Sequence, residues 1–200
     1  MSPEFTCRMA TPSDSVQKIA KYLHLTDPYI YPLICKDPED SAWCEFIRAC
    51  TLSEGNLCHL SNLAVLLHGE EIVGVACVAP CGQKLTVTEG IQVPDKLGIA
   101  PVNEGYFLPL IKEMQAFSGF NIVNICVDAA YRGQGLGKKL MAFCMEHCGN
   151  TDIHLDVISD NTPAIRLYES LGFQISSEYM GFSGSDTKLP CYHMVKKATP

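Results

Sequence analysis

The sequence predicts an α/β fold of the α+β type, in which one mixed sheet carries helices on both of its faces. Segments with helical apolar spacing alternate with short β-branched runs along most of the chain. Pairs of such runs joined by short turns, typical of hairpins, occur towards both ends of the order. The 200 residues suit one domain with a sizeable core, and no linker interrupts them, so we predict a single domain over residues 1–200.

Hydrophobic periodicity divides the N-terminal half into a strand, two helices and a hairpin. In chain order these are the strand Phe5–Met9, the helices Ser13–Leu25 and Ser41–Leu52, and the strands Leu63–His68 and Glu71–Ala79. Thr11-Pro-Ser-Asp14 is typical of a helix start, and Asp27-Pro28 and Tyr31-Pro32 break the first helix. Gly69-Glu70 is expected to form the hairpin turn.

Glycines and prolines interrupt Pro80–Asn103, which we predict to be irregular apart from a short strand at Leu85–Thr88. Regular elements then resume. They are the helix Phe107–Phe117, the strand Asn121–Val127, a helix that begins at Leu136, the strand Asp152–Ile158, the helix Pro163–Leu171, and the strands Phe173–Phe182 and Leu189–Val195. Thr162 is predicted to cap the last helix, with Pro163 at its first position.

Composition excludes several classes of protein. A formal charge of −7 argues against a general nucleic-acid binder, which would need a basic face. No apolar run is long enough to span a bilayer, and no secretory signal is seen. The eleven cysteines are odd in number, form no C-x-x-C pair and lie partly within apolar runs. We therefore expect a cytoplasmic protein with mostly reduced, buried cysteines.

The segment from Asn121 to Leu140 reads as strand, glycine loop and helix. Glycines at positions 133, 135 and 137 let backbone N–H groups approach a ligand closely. The first turn of the following helix has unpaired N–H groups and a partial positive charge, so together they predict a site for phosphate oxygens. The spacing G-x-G-x-G differs from both the Walker loop and the dinucleotide fingerprint. A nucleotide-binding protein is therefore disfavoured.

Two signatures resemble the GNAT family (GCN5-related N-acetyltransferases). The first is Arg132-x-x-Gly135-x-Gly137. The second combines Leu155-x-Val157, Asn161, Ala164, Leu167-Tyr168 and Gly172-Phe173. The resemblance covers Asn121 to Phe182, and the N-terminal half matches only in its order of elements. It implies a mostly antiparallel sheet splayed between the fourth and fifth strands, with acyl-CoA entering the gap.

The resemblance also implies which residues hold acetyl-CoA. The backbone of Ile125, Cys126 and Val127 would pair with the pantetheine arm, and a backbone N–H there would polarise the thioester carbonyl. The loop Arg132, Gly133, Gln134, Gly135, Leu136, Gly137 and Lys138 would hold the diphosphate. Asn161 would bond the arm, cap its helix, or do both.

The predicted reaction is direct attack of a primary amine on the thioester, through a tetrahedral intermediate. By resemblance, Tyr168 is the general acid that protonates the CoA sulfur. Asp156 stands where relatives that acetylate protein N-termini have a glutamate, so it is the first candidate for general base, with bulk water as the alternative. Asp128 and His154 are lesser candidates for that role.

No metal is expected. Cys144, His147 and Cys148 share a helix face, but no convincing fourth ligand accompanies them, so we assign them to the core. The expected partner is a small-molecule or peptide amine, without nucleic acid or membrane, and a homodimer is left open. The alternative function is a non-catalytic acyl-CoA-binding or regulatory module on the same fold.

Overall fold

The structure is a computed structural model that describes residues 4–99, 107–182 and 188–199. Its strands are β1 (Phe5–Met9), β2 (Leu63–His68), β3 (Glu71–Pro80), β4 (Phe120–Val127), β5 (Ile153–Ile158), β6 (Gln174–Phe182) and β7 (Lys188–Lys196). Its α-helices are α1 (Val16–His24), α2 (Tyr31–Ile34), α3 (Ser41–Leu52), α4 (Leu108–Ala116), α5 (Leu136–Cys148) and α6 (Thr162–Ser170). Short 3₁₀ turns cover Leu60–Asn62 and Ala129–Tyr131.

The strands form one sheet in the order β1-β2-β3-β4-β5-β7-β6. Of the strands that the structure describes, β4 and β5 alone are paired in parallel, and the other neighbours are antiparallel. The prediction of a mixed, mostly antiparallel sheet is therefore confirmed. The two predicted hairpins are formed by β2 with β3 and by β6 with β7. Residues 183–187, which belong to the turn of the second hairpin, lie outside the described residues.

Helices cover both faces of the sheet, which explains why the central strands read as continuous apolar runs. In β2, Leu63, Val65 and Leu67 face a core shared with α1 and α3. The alternate residues Ala64 and Leu66 face a second core shared with α5. Successive side chains of a strand point to opposite faces, so both sets are buried.

One local prediction is incomplete and one is wrong. The first helix ends at His24, before both proline pairs, as predicted, but Tyr31-Pro32 also begins helix α2, because proline lacks only an N–H that the first turn leaves unpaired anyway. Leu85–Thr88 forms no strand; an isolated bridge joins Thr86 to Asn56. The end of the predicted irregular segment, residues 100–103, lies outside the described part of the chain.

Two helix starts also differ from prediction. Helix α1 begins at Val16 rather than Ser13, since Ser15 caps it while the Asp14 carboxylate accepts hydrogen bonds from Arg8 at 2.6 and 2.7 Å. Asn161, not Thr162, caps α6: its side chain accepts a hydrogen bond from the Ala164 N–H at 3.4 Å.

Other expectations concern the surface and the cysteines. Among the described residues, no helix has the length and apolar character that a membrane span would require. Seven of the eleven cysteines are buried, where they pack as small hydrophobic side chains, and the rest are half-buried. Cys144 and Cys148 lie in the core, but His147 is exposed, so its assignment to the core is wrong.

Candidate active site

Strands β4 and β5 pair only at their first residues. Phe120 lies opposite Ile153 and Asn121 opposite His154. Beyond that point β4 stays paired with β3 as far as Val127, while β5 stays paired with β7 as far as Ile158. The two strands therefore diverge, and a cavity of about 890 Å³ lies between them. The predicted splay is present.

A bulge in β4 accompanies the divergence. Ile122 lies opposite Val78 and Asn124 opposite Cys77, so Val123 is an extra residue on β4. A bulge of this kind bends the strand and increases its twist. Val123 lines the cavity, as do the three residues that end the strand, Ile125, Cys126 and Val127.

The closed end of the strand pair depends on Gly119. This residue has φ +90°, and a Cβ atom added to it would lie 2.0 Å from the backbone oxygen of Asp152. The close approach lets the Phe120 N–H donate to that same oxygen at 3.0 Å. Only glycine permits both the angle and the contact, so it fixes the point from which the strands separate.

The glycine loop lies between β4 and α5. Gly133 and Gly135 have φ of 77° and 76°, and a Cβ atom added to either would meet no atom of the described residues within 4 Å. At these two positions the loop backbone carries no side chain, and no described side chain caps the first turn of α5. Leu136 is buried and anchors the turn in the core, while Gly137 lines the cavity. Unpaired N–H groups at a bare helix start are suited to bind an anion.

Polar side chains of the loop remain exposed. Arg132 donates from Nε to the Val127 carbonyl at 3.3 Å, which ties the loop to the end of β4. Gln134 and Lys138 are exposed. The next residue, Lys139, instead donates to the backbone oxygen of Phe5, so its charge is directed towards β1.

Tyr168 lies on α6 across the cavity from the end of β4. The residue is buried, and its ring packs 6.1 Å from that of Phe173. Its hydroxyl makes no hydrogen bond with the residues that the structure describes. Burial raises the pKa of Tyr168 to about 12. The hydroxyl therefore stays protonated at neutral pH and has its proton free to donate.

Asn161 also lines the cavity, and its side chain caps α6 as described above. The capping function is thus observed. Its contact with a pantetheine arm stays a prediction.

Asp156 lies on β5 and lines the same cavity. Its Oδ1 accepts a hydrogen bond from His193 Nδ1 at 3.0 Å. By contrast, Asp128 accepts from the Ala130 N–H at 2.8 Å and from the Tyr22 hydroxyl at 2.7 Å. These two bonds, the first foremost, lower the pKa of Asp128 and make it a weaker base than the sequence alone suggested.

Sequence reasoning missed two groups near Asp156. His193 is the residue of β7 that pairs with Asp156 of the neighbouring strand β5. Glu113, on α4, lines the cavity. Neither belongs to a motif, so only the pairing of β5 with β7 and the packing of α4 bring them to the site.

The cavity is acidic. Four carboxylate side chains line it: Asp27, Glu113, Asp156 and Asp160. The described residues that line it include no lysine or arginine. Burial raises the pKa of Asp27. Within the described residues, no group of three or more histidines, cysteines and carboxylates is arranged to hold a metal ion.

Solved structures resemble this fold over nearly its whole length. An N-acetyltransferase from Staphylococcus aureus Mu50 matches with a TM-score of 0.70 and 18% identity, over 95% of this chain and 99% of that one. The ribosomal-protein-S18-alanine N-acetyltransferase from Escherichia coli matches with a TM-score of 0.58 and 16% identity, over 98% and 96%. At such identities the likeness concerns the fold.

Curated relatives match shorter stretches. N-alpha-acetyltransferase RimI of Mycobacterium tuberculosis is 34% identical over 70 residues, 34% of this chain and 44% of that protein. Spermine/spermidine N(1)-acetyltransferase of Bacillus subtilis is 37% identical over 62 residues, 29% and 40% of the two chains. An uncharacterized protein of Mycobacterium leprae is 38% identical over 73 residues, 35% and 20%. The chain thus spans less than half the length of these relatives.

The sequence model of the acetyltransferase (GNAT) family matches residues 22–173, well over half of the chain. That range includes the splayed strands, the glycine loop and Tyr168. The chain therefore belongs to the acetyltransferase (GNAT) family.

Proposed function

We propose that this protein is an N-acetyltransferase that transfers an acetyl group from acetyl-CoA to an amine. One observation carries the proposal: β4 and β5 separate after Asn121 and His154 around a cavity that the end of β4, Tyr168 and Asp156 all line. A donor and an acceptor molecule can meet there beside both a protonated phenol and a carboxylate.

The residues present fit acetyl-CoA. The bare backbone at Gly133 and Gly135, with the start of α5 behind it, suits a diphosphate. The stretch of β4 from Ile125 to Val127 lines the cavity and has no β5 partner among the described strands, so its backbone is available to an extended arm. When bound, the thioester would supply an activated acetyl group.

Three contributions would come from the chain itself. The β4 backbone would orient the thioester and polarise its carbonyl oxygen through an N–H group. Tyr168 would give its hydroxyl proton to the departing sulfur, which its raised pKa of about 12 allows because the proton is present at neutral pH. Asp156 would take a proton from the attacking ammonium group, directly or through one water molecule.

A cationic amine is the acceptor that the cavity favours. The four carboxylates that line it attract an ammonium group, and no lysine or arginine among the described lining residues opposes them. A polyamine, a lysine side chain and a peptide N-terminus all share this chemistry, since each presents a primary amino group. We expect the protein to act in the cytoplasm.

A panel of amines tests the function. Purified protein is incubated with acetyl-CoA and each acceptor, and release of free thiol and the mass of the acetylated product are measured. Thiol release that requires a cationic amine supports the proposal. Tight binding of acetyl-CoA without acceptor-dependent release would instead identify a non-catalytic binding module.

A further inference from the structure

A line of buried polar groups runs from the cavity into the sheet behind Asp156. His193 donates from Nδ1 to Asp156 Oδ1, and its Nε2 lies 3.2 Å from His154 Nδ1. His154 Nε2 lies 3.1 Å from the Ser118 carbonyl oxygen. The two histidines are 4% and 5% exposed, whereas the Asp156 side chain is 20% exposed. Only the carboxylate end of the line therefore faces the cavity.

The two rings are held in place by packing. His154 stacks on the Phe117 ring at 4.5 Å with an angle of 5° between planes. His193 stacks on the same ring at 4.9 Å and 26°. The pairing of β5 with β7 fixes Asp156 opposite His193. The geometry of the line is thus set by backbone pairing and by an aromatic platform.

The hydrogen bonds require a definite number of protons. The Ser118 carbonyl can only accept, so His154 Nε2 carries a hydrogen. An ionised Asp156 can only accept, so His193 Nδ1 carries another. The contact between the rings needs a third. Two neutral imidazoles hold two N–H hydrogens between them, so the complete line holds one extra proton, whose charge balances the carboxylate.

Loss of that proton breaks one of the three hydrogen bonds. The two ring nitrogens then face each other without a hydrogen, or His193 Nδ1 faces the carboxylate without one, or His154 Nε2 faces the Ser118 carbonyl without one. Buried polar atoms left unpaired are costly, so the line gains stability when it takes the proton back. The line is therefore a proton acceptor. With the extra proton all three hydrogen bonds form, and without it one buried polar atom is left without a hydrogen-bond partner.

The surrounding charges agree with this arrangement. Burial opposes a charged ring at His193, but the hydrogen bond to Asp156 and the carboxylates of Asp156 and Glu113 outweigh it and raise the pKa of His193. Burial and the neighbouring His193 lower the pKa of His154. The remaining charged groups that act on His154 are Asp152 and Lys197. The extra proton thus resides on His193.

We propose that Asp156, His193 and His154 act as one proton-accepting unit in the transfer reaction. This inference rests on the proposed function. Asp156 is the catalytic residue at the cavity, and His193 and His154 are positioning residues behind it. In the active form the contact between Asp156 and His193 lacks its hydrogen. The substrate ammonium N–H bond breaks, and its electron pair stays on nitrogen for the attack. The proton forms an O–H bond with the Asp156 carboxylate and then passes to His193 Nδ1, which restores the hydrogen bond between the two side chains. The proton later leaves to water.

The unit predicts the direction of the pH dependence. The active form is the one without the extra proton, so kcat/KM should rise as pH increases through the pKa of His193. Because that pKa is raised, the rise should be centred above the ordinary value for histidine, about 6.5. Asp156→Asn keeps an acceptor oxygen but removes the charge, so it should move the rise at least half a pH unit towards acid and lower the plateau about 100-fold.

Two measurements test the unit together. The first is the pH profile of kcat/KM for the wild type, Asp156→Asn, His193→Gln and the control His147→Gln, whose ring is exposed on α5. We expect His193→Gln to abolish the rise and to lower the plateau at least tenfold, and the control to match the wild type. The second is NMR titration of the His193 ring in the wild-type protein, which needs no variant to fold.

The inference holds if His193 of the wild-type protein titrates at the same pH as the wild-type kcat/KM, and if Asp156→Asn shifts the pH profile of kcat/KM towards acid. It is overturned if His193 titrates elsewhere, or if the profile survives both substitutions unmoved. A protein that never acetylates an amine would refute the proposed function instead. The NMR titration would still report in that case whether His193 holds the extra proton, so the two failures can be told apart.

Discussion

The two sides of the cavity are built in different ways. The donor side comprises the end of β4, the glycine loop and the start of α5. It consists of exposed backbone, because the glycines carry no side chain and the end of β4 is not paired with β5. The acceptor side, formed by α4, β5 and β7, consists of side chains: Asp156, Glu113 and the buried histidines. The donor side therefore suits one invariant ligand, acetyl-CoA, because backbone groups do not change when side chains are substituted. The acceptor side can be altered by substitution without disturbing the first.

The largest effect should come from the phenol between the two sides. Tyr168→Phe removes a hydroxyl that has no hydrogen-bond partner in the described part of the chain, so the fold should be unaffected. We expect kcat to fall by roughly 10²–10³, the usual range for a general acid, with little change in acetyl-CoA affinity. Steady-state kinetics and calorimetry measure the two quantities.

Tyr131→Phe is the matched control. The Tyr131 hydroxyl and His68 Nδ1 form a hydrogen bond of 3.2 Å, and neither residue lines the cavity. It should leave kcat unchanged. Because the pKa of Tyr168 is about 12, the wild-type rate should not decline through ionisation of Tyr168 below pH 9. An unchanged kcat in Tyr168→Phe would remove this residue from the mechanism.

The closed end of the strand pair should be the next most sensitive position. Gly119→Ala combines a positive φ with a Cβ placed 2.0 Å from the Asp152 oxygen. We expect it to lower the free energy of unfolding by about 3 kcal/mol, the upper end of the usual cost of a strained residue. Gly90→Ala, with φ +76° and no atom of the described part of the chain within 4 Å, should cost only about 1 kcal/mol. Equal losses in chemical denaturation would show that the closed end does not anchor the pair.

The bare donor backbone can be tested with the same control. Gly135→Ala adds a side chain where the structure has open space, at a φ of 76° that matches Gly90. We expect acetyl-CoA affinity to fall about tenfold, a loss of ~1.4 kcal/mol, because the added methyl group occupies the space suited to the diphosphate. Gly90→Ala should bind normally. Calorimetric titration of both variants decides, and equal affinities would contradict a phosphate site in this loop.

The smallest effect should come from a single exposed carboxylate on the acceptor side. Glu113→Gln should raise KM for a dicationic amine by about threefold at low salt, since one exposed charge contributes up to ~1 kcal/mol. The difference should shrink as salt is added, because screening weakens interactions between exposed charges. Glu169→Gln, which removes an exposed charge on α6 outside the cavity, should leave KM unchanged. A Glu113→Gln variant indistinguishable from that control would exclude this carboxylate from acceptor binding.

The same division explains what the sequence could and could not predict. The donor side could be predicted from residues 121–173 alone, because its signals are local: the glycines, the strand before them and the spacing up to Tyr168. His193 lies 37 positions from Asp156 along the chain, and only the β5–β7 register makes them neighbours. Tyr31-Pro32 illustrates another limit: proline fits both a helix break and a helix start, and the surrounding packing selects between them.

The most direct test of a CoA site on the donor backbone is a titration of isotope-labelled protein with acetyl-CoA, followed by amide NMR shifts. The amides of Ile125–Val127 and Gly133–Lys138 should shift together at saturation, while Phe120 and Asn121 at the closed end should stay nearly unmoved. Saturable binding that leaves the glycine-loop amides unshifted would contradict the account.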